Sequence, residues 1–188
     1  MTEIVEGNLV FSFPDDWKAE KYDDARGFAA RTCRIDETKR IDIVALSPDR
    51  LLMFEVKDFR DHAIENKDRM AVKGDDPLHV EVAKKVRDTF AVLVAAHRAG
   101  DETLKPFYSY ALGSRKNPID VILFVEENED RARSIRGSRL RSDLKGGMEV
   151  LLKPFGLRCH VQRRKSMPDT SPWTVRGVPE SLREHRAP

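Results

Sequence analysis

Three charged side chains interrupt two neighbouring apolar runs of the sequence. Asp42 lies near the start of RIDIVAL, and Glu55 and Lys57 lie near the end of LLMFEVK. Two carboxylates held close together repel each other, so a cation is needed to offset the repulsion. Mg2+ or Mn2+ would do so, because these hard cations prefer oxygen ligands. A neighbouring lysine could stabilise the charge that develops when a phosphodiester is cleaved, or orient the attacking water.

The segment between the two runs decides whether these side chains meet. Ser-Pro-Asp-Arg has the composition of a tight turn. A four-residue hairpin loop pairs Leu46 with Leu51. In this register Asp42 lies directly opposite Glu55, and Lys57 shares their face because side chains alternate along a strand. A loop of odd length would put Asp42 and Glu55 on opposite faces and remove the site.

The Glu-Val-Lys tripeptide has little meaning by itself, because such tripeptides occur by chance in charged chains. In the alternative interpretation, Glu55 and Lys57 mark a strand that reaches solvent, and Asp42 pairs with Arg40 or Lys57. The combined pattern is more specific. It requires an Asp on the preceding strand, an even turn, an apolar run that ends in Glu-x-Lys, and a long helix after it.

The rest of the chain supplies the elements that would position these residues. We predict a helix over 14–30, followed by three strands, a second helix and a buried strand, which is an α/β fold with a mixed sheet. The second helix is the clearest, because apolar residues recur at helical spacing from Val82 to Leu93 and Gly100 ends it. The expected strands lie at 8–13, 29–35, 40–46, 51–57, 119–127 and 157–165, with an edge strand at 69–73.

A strongly basic segment follows the buried strand. Residues 131–165 contain eleven Lys or Arg and two acids. We expect a basic helix here, interrupted at Gly146–Gly147, and a polyanionic partner for it. The equally weighted alternative is a solvated helix face. The proline-containing tail, 166–188, is expected to be irregular.

The pattern around the three charges resembles the PD-(D/E)xK nuclease superfamily, which has a restriction-endonuclease-like fold. The matching residues are Asp42 in RIDIVAL and Glu55-Val56-Lys57 in LLMFEVKDF, and the resemblance covers about residues 17–127. The proline of the family motif is Ile41 here. The resemblance implies a helix, three strands, a helix and a strand as the core, with C-terminal helical and strand additions, in one nuclease-like domain of residues 1–165.

The resemblance also implies roles for individual residues. Asp42, Glu55 and the backbone carbonyl of Val56 would bind Mg2+ or Mn2+, and Lys57 would be catalytic. An acid on the first helix often assists, and Glu20 is the first candidate, with Asp23 and Asp24 as alternatives. A basic residue on the second helix often reaches the site, and Lys85 fits by position, although a snorkelling surface lysine is an equal alternative.

These features favour a small metal-dependent nuclease, with DNA favoured over RNA as the substrate. The basic helix would then contact phosphates of the nucleic-acid backbone. The arginines expected to make these contacts are Arg133, Arg136, Arg139 and Arg141. Cutting both strands would require a homodimer or two encounters, and a larger repair or anti-phage assembly is a further expected setting.

Two other functions remain open at this point. The first is a nuclease-like fold that only binds nucleic acid, as a non-catalytic subunit of an assembly. The second is an interaction domain whose basic helix binds an acidic protein. Neither a signal peptide nor a membrane span is predicted, and we expect a cytoplasmic protein. Cys33 and Cys159 are expected to be reduced thiols, and the scattered histidines predict no zinc site.

Overall fold

A computed structural model describes residues 1–23, 38–60, 77–128, 130 and 134–179 of the 188-residue chain. It is an α/β structure with eight strands and three helices in this part of the chain. The strands are β1 Thr2–Glu6, β2 Leu9–Phe13, β3 Lys18–Lys21, β4 Ile43–Leu46, β5 Leu51–Asp58, β6 Ile119–Glu126, β7 Arg158–Gln162 and β8 Thr174–Gly177. The helices are α1 Leu78–Ala99, α2 Lys105–Gly113 and α3 Ile135–Leu152.

The strands form two sheets. The larger one has the order β3-β4-β5-β6-β7 and is mixed, since β3, β4 and β5 are antiparallel while β5, β6 and β7 are parallel. The smaller sheet has the order β1-β2-β8 and is antiparallel. The predicted α/β class and mixed sheet are therefore confirmed.

The large sheet is covered on both faces, which explains why every residue of β6 is buried. One face packs against the helices, through residues such as Met53, Leu123 and Val86. The other face packs against the small sheet in an aromatic cluster whose rings are Phe11, Phe13, Phe54, Phe124 and Trp173. Among the described residues, no helix has the length and apolar character needed to cross a bilayer.

The helix predicted at 14–30 is wrong where the structure describes it. Trp17 closes a turn on Pro14, and Lys18–Lys21 forms β3, which pairs with β4. Pairing with an existing strand supplied partners for the backbone groups of this segment, and this tertiary interaction outweighed its local helical signals. Residues 24–37 and 61–76 lie outside the described residues, and with them the strand predicted at 29–35 and the edge strand at 69–73.

The predicted interruption at Gly146–Gly147 is also wrong, because α3 runs through both glycines. A Cβ atom on Gly147 would lie 2.6 Å from Cδ2 of His79, so this glycine allows α3 to pack closely on α1. The tail contains a strand that was not predicted, since β8 pairs with β2. Helix α2 and strand β1 were likewise missed.

Candidate functional site

The hairpin of β4 and β5 has the predicted register. Leu46 pairs with Leu51 and Val44 pairs with Met53, across the Ser47–Arg50 turn. Asp42 lies one residue before β4, and its backbone N–H still donates to the carbonyl of Phe54 at 3.0 Å. The predicted register therefore holds from Leu46 to Ile43, which pairs with Phe54, and the backbone shifts by one residue at Asp42. The carboxylates of Asp42 and Glu55 are brought together by their contacts with Lys85.

At the end of this strand pair, the side chain of Asp42 replaces a backbone carbonyl as the hydrogen-bond acceptor. Its Oδ2 accepts a hydrogen bond of 2.7 Å from the backbone N–H of Val56, where a longer β4 would have continued the ladder. The N–H and C=O of one strand residue point to the same edge, so the carbonyl of Val56 faces the same side as Asp42. The backbone group expected among the metal ligands is therefore adjacent to Asp42.

Lys85 of α1 joins the two carboxylates. Its Nζ lies 3.2 Å from Oδ1 of Asp42 and 2.7 and 2.8 Å from the two oxygens of Glu55. Glu55 has no exposed surface. The repulsion between the carboxylates, which we expected a metal to offset, is thus offset here by an ammonium group.

Lys57 lies on the same face of β5 and extends the network. Its Nζ is 2.8 Å from Oε1 of Glu55 and 3.0 Å from Oε1 of Glu81 on α1. Asp42, Glu55, Lys57, Glu81 and Lys85 form a continuous run of alternating charges, which we call the acid–lysine cluster. Three separate elements contribute to it: the segment before β4, the end of β5 and the first half of α1.

The contribution of α1 is a stripe of polar residues spaced four apart. Glu81 and Lys85 belong to the cluster, and one turn later Thr89 accepts a hydrogen bond from the backbone N–H of Ile41 at 3.2 Å. The hydroxyl of Tyr22 donates to the carbonyl of Thr89 at 3.4 Å. The role of Glu81 was not predicted, although its spacing of four from Lys85 would have indicated a shared helix face.

Burial dominates the electrostatics of the cluster. It raises the pKa of Glu55 to about 7, and the charge of Asp42 adds to the rise, while Lys57 and Lys85 oppose it. Burial alone would lower the pKa values of Lys57 and Lys85, but the contacts with Glu55 outweigh it, and both pKa values are raised. The two lysines therefore stay protonated at neutral pH.

A second group of acids shares Asp42. One oxygen from each of Glu6, Asp23 and Asp42 lies within 4.8 Å of the others, a spacing that could hold a metal ion. Burial followed by the charge of Asp42 raises the pKa of Asp23. Lys21 of β3 lies 2.9 Å from Glu6 and partly balances this acidic trio. Glu6 was not predicted, whereas Asp23 was one of the alternatives to Glu20.

Glu20 is not on a helix as expected, and its assisting role stays a prediction. It lies on β3 rather than on a helix, pairs with Val44 and is exposed, and no described contact links it to the acid–lysine cluster. Asp24 lies outside the described residues.

The predicted arginines are placed differently from one another. Arg136 and Arg139 are exposed on α3. Arg141 forms an ion pair of 3.0 Å with Glu127, which is nearly fully buried, so its guanidinium is committed within the protein. Arg133 falls outside the described residues.

Comparison with known proteins gives one partial likeness. Over 150 residues the chain is 28% identical to a cysteine–tRNA ligase of Neisseria meningitidis serogroup A, an alignment that covers 67% of this chain and 21% of the ligase. The chain thus spans about a fifth of the length of this curated relative. No family model matches the chain, and no solved structure matches it.

Proposed function

We propose that this protein is a metal-dependent nuclease with a restriction-endonuclease-like core, related to the PD-(D/E)xK nucleases. The observation that carries the proposal is the convergence of Asp42, Glu55 and Lys57 on one face of the β4–β5 hairpin, with Glu55 fully buried. Buried titratable groups with shifted pKa values are typical of active sites. A nucleic-acid substrate is compatible with the tRNA ligase named as a partial relative.

The donor groups of the site fit a divalent metal such as Mg2+. All the candidate ligands are oxygens, which hard cations prefer. The acid–lysine cluster, the acidic trio and the neighbouring Lys21 together contain five carboxylates and three lysines, so their formal charge is −2 when all are ionised. One divalent ion would neutralise this charge. The ion would be bound by Asp42, Glu55 and the Val56 carbonyl. Alternatively, Asp42 would bind it with Glu6 and Asp23.

A bound ion would supply Lewis-acid chemistry at a phosphoryl oxygen. The protein's own groups account for the remaining roles. Lys57 carries a positive charge to the strand end, where it can stabilise the charge that develops on the phosphate. Glu81 accepts a hydrogen bond from Lys57 at 3.0 Å and so fixes the position of its ammonium group. The buried sheet around Glu55 keeps the carboxylate in a low-dielectric surrounding.

A non-catalytic nucleic-acid-binding subunit is the second candidate. It is favoured by the ammonium of Lys85, which already satisfies Asp42 and Glu55 without a metal. In that case the acid–lysine cluster would be a structural ion-pair network. A cytoplasmic location and a repair or defence assembly remain expectations from the sequence.

The experiment is a cleavage assay on single- and double-stranded DNA and RNA, with Mg2+, Mn2+ or EDTA. We expect cleavage only with metal. Asp42→Ala and Glu55→Ala should abolish it by removing ligands, and Lys57→Ala should lower turnover by about 100- to 1,000-fold while metal still binds.

Two control variants accompany this assay. Asp49→Ala removes an exposed carboxylate from the turn of the same hairpin, and Lys84→Ala removes the exposed lysine beside Lys85. Both controls should cleave like the parent. Metal-independent binding with no cleavage of any substrate would favour the non-catalytic candidate instead.

A further inference from the structure

A basic pocket lies at one edge of the large sheet, apart from the residues assigned above. Its volume is about 130 Å3, which is room for several water molecules or one phosphate group. Six of its lining residues are charged: Arg60, Glu126, Glu127, Arg163, Arg164 and Lys165. They lie at or just after the carboxyl ends of β5, β6 and β7, which are parallel, so these ends meet at this edge. Sheets of this kind commonly bind ligands at that position.

The two acids of the pocket are already compensated. Glu126 accepts a hydrogen bond of 2.8 Å from the backbone N–H of Arg164 and lies 3.7 Å from its guanidinium. Glu127 is paired with Arg141 at 3.0 Å. Four of the six charged lining residues are cationic, and each of the two acids is paired with an arginine. The pocket therefore favours an anion.

The pocket is next to the acid–lysine cluster. Lys57 is the last residue but one of β5, and it pairs in register with Val125 of β6. Arg60 follows three residues later, which is at most about 10 Å along an extended chain. This spacing is comparable to the distance between neighbouring phosphates along a nucleic-acid strand, which is several ångströms.

We propose that this pocket binds a backbone phosphate of the nucleic-acid strand that approaches the acid–lysine cluster. This inference rests on the proposed function and moves the principal phosphate contacts from helix α3 to the edge of the sheet. Arg163 and Lys165 would contribute the charge. Arg164 would fix the position of the loop after β7, since both its backbone and its side chain contact Glu126.

The test is equilibrium binding of a labelled single-stranded oligonucleotide in EDTA, where no metal-dependent cleavage occurs. We expect the double variant Arg163→Glu/Lys165→Glu to lose affinity about tenfold or more at low salt. The slope of log affinity against log salt should fall by about 0.7 for each phosphate that the variant no longer neutralises. Melting curves would show that the variant folds, and Arg163→Gln/Lys165→Gln replaces it if it does not.

The matched control is Arg115→Glu/Lys116→Glu, which makes the same change in charge. Both of these residues are exposed and precede β6, so they lie towards the opposite edge of the sheet. Loss of binding in the pocket variant alone supports the proposal. Equal losses in both double variants, or competition by inorganic phosphate with no effect of the variants on oligonucleotide binding, overturn it. Parent protein that binds but never cleaves would refute the nuclease and leave the pocket standing.

Discussion

The two faces of β5 show what the same strand does under two different demands. On one face, Phe54 packs in an aromatic cluster, with ring centroids 4.9 Å from Trp173 and 5.8 Å from Phe11 and Phe13. On the other face, apolar Met53 is followed by Glu55 and Lys57. The aromatic face is built only for burial. At the carboxyl end of β5, the helix-facing side carries buried charged residues instead of apolar ones, and each of these charges has a partner.

This difference indicates which substitutions should affect stability alone and which should also respond to pH and metal. Burial of apolar area is favourable whatever the pH or metal content. Buried charges are costly unless they are paired, and the balance depends on protons and ions in solution. Changes on the aromatic face should therefore alter stability alone, while changes on the charged face should respond to pH and metal.

Phe54→Ala should have the largest effect on stability. The side chain is fully buried, so its removal leaves a cavity between the two sheets and should lower the free energy of unfolding by about 3–5 kcal/mol. Urea denaturation at neutral pH measures this loss, and the loss should be the same with and without Mn2+. Phe155→Ala is the control at an exposed ring and should lose about 1 kcal/mol or less. Similar losses of unfolding free energy in both variants would show that the aromatic face of β5 does not contribute to stability in the way described.

Lys85→Met should behave in the opposite way and respond to metal. Without metal, Asp42 and Glu55 would face each other with no ammonium between them, and we expect a loss of about 3 kcal/mol. Mn2+ should then raise the melting temperature of this variant more than that of the parent, because the ion replaces the missing charge.

The neighbouring substitution Lys84→Met removes the same charge from an exposed position of α1. Because Lys84 is exposed, its replacement should lower the melting temperature far less than that of Lys85, and the response to Mn2+ should match that of the parent. A Lys85→Met variant that melts like Lys84→Met in EDTA would show that Lys85 does not hold the carboxylates together.

The pH dependence of stability should report Glu55. Its pKa is about 7 in the folded protein against an ordinary value of 4.5, so between these values the folded state binds more protons than the unfolded state. Stability from this group therefore falls as the pH rises from 4.5 to 7, by at most about 3 kcal/mol, and stays constant above that. Glu55→Gln should lack this fall. Urea denaturation of both proteins from pH 5 to pH 8 tests it, and parallel curves would exclude a raised pKa.

Substitutions at two adjacent glycines of α3 should give the smallest changes in stability. Gly147→Ala places a Cβ against His79, which is buried, and should destabilise the protein by about 1–3 kcal/mol. Nothing lies within 4 Å of a Cβ on Gly146, so Gly146→Ala should stabilise the helix by about 0.5–1 kcal/mol. Thermal melts of the two variants measure the difference. Equal shifts would mean that α1 and α3 do not pack as closely as the structure shows.

The β4–β5 register could be predicted because its determinants are local. The turn composition and the lengths of the two apolar runs fix which residues face each other, and the apolar character of β6 and the periodicity of α1 are equally direct signals. Local sequence also placed Lys85 at the correct turn of α1, since it flanks the apolar stripe. The alternative of a snorkelling surface lysine does not describe it, because its ammonium contacts two buried carboxylates.

The errors arose where distant partners decide the local structure. Residues 18–21 have no strong strand pattern, and they form β3 because β4 offers an edge. The Gly146–Gly147 pair has low helix propensity, but packing against His79 makes the second glycine favourable. Glu6 comes close to Asp42 only through the stacking of two sheets, which no spacing along the chain encodes. The roles of Asp42, Glu55 and Lys57 in catalysis remain predictions that the cleavage assay decides.

The pairing of β2 with β8 has a consequence for the order in which the protein folds. These strands come from nearly opposite ends of the described chain, so the small sheet needs the closure of a very long loop. Contacts of such high sequence separation form slowly. During synthesis, the β4–β5 hairpin and α1 can assemble early, whereas the contacts of Phe11 and Phe54 with Trp173 form only after this much later residue has been made. The nascent chain would therefore expose an aromatic surface until Trp173 and β8 emerge, and this surface is where a chaperone would be expected to bind.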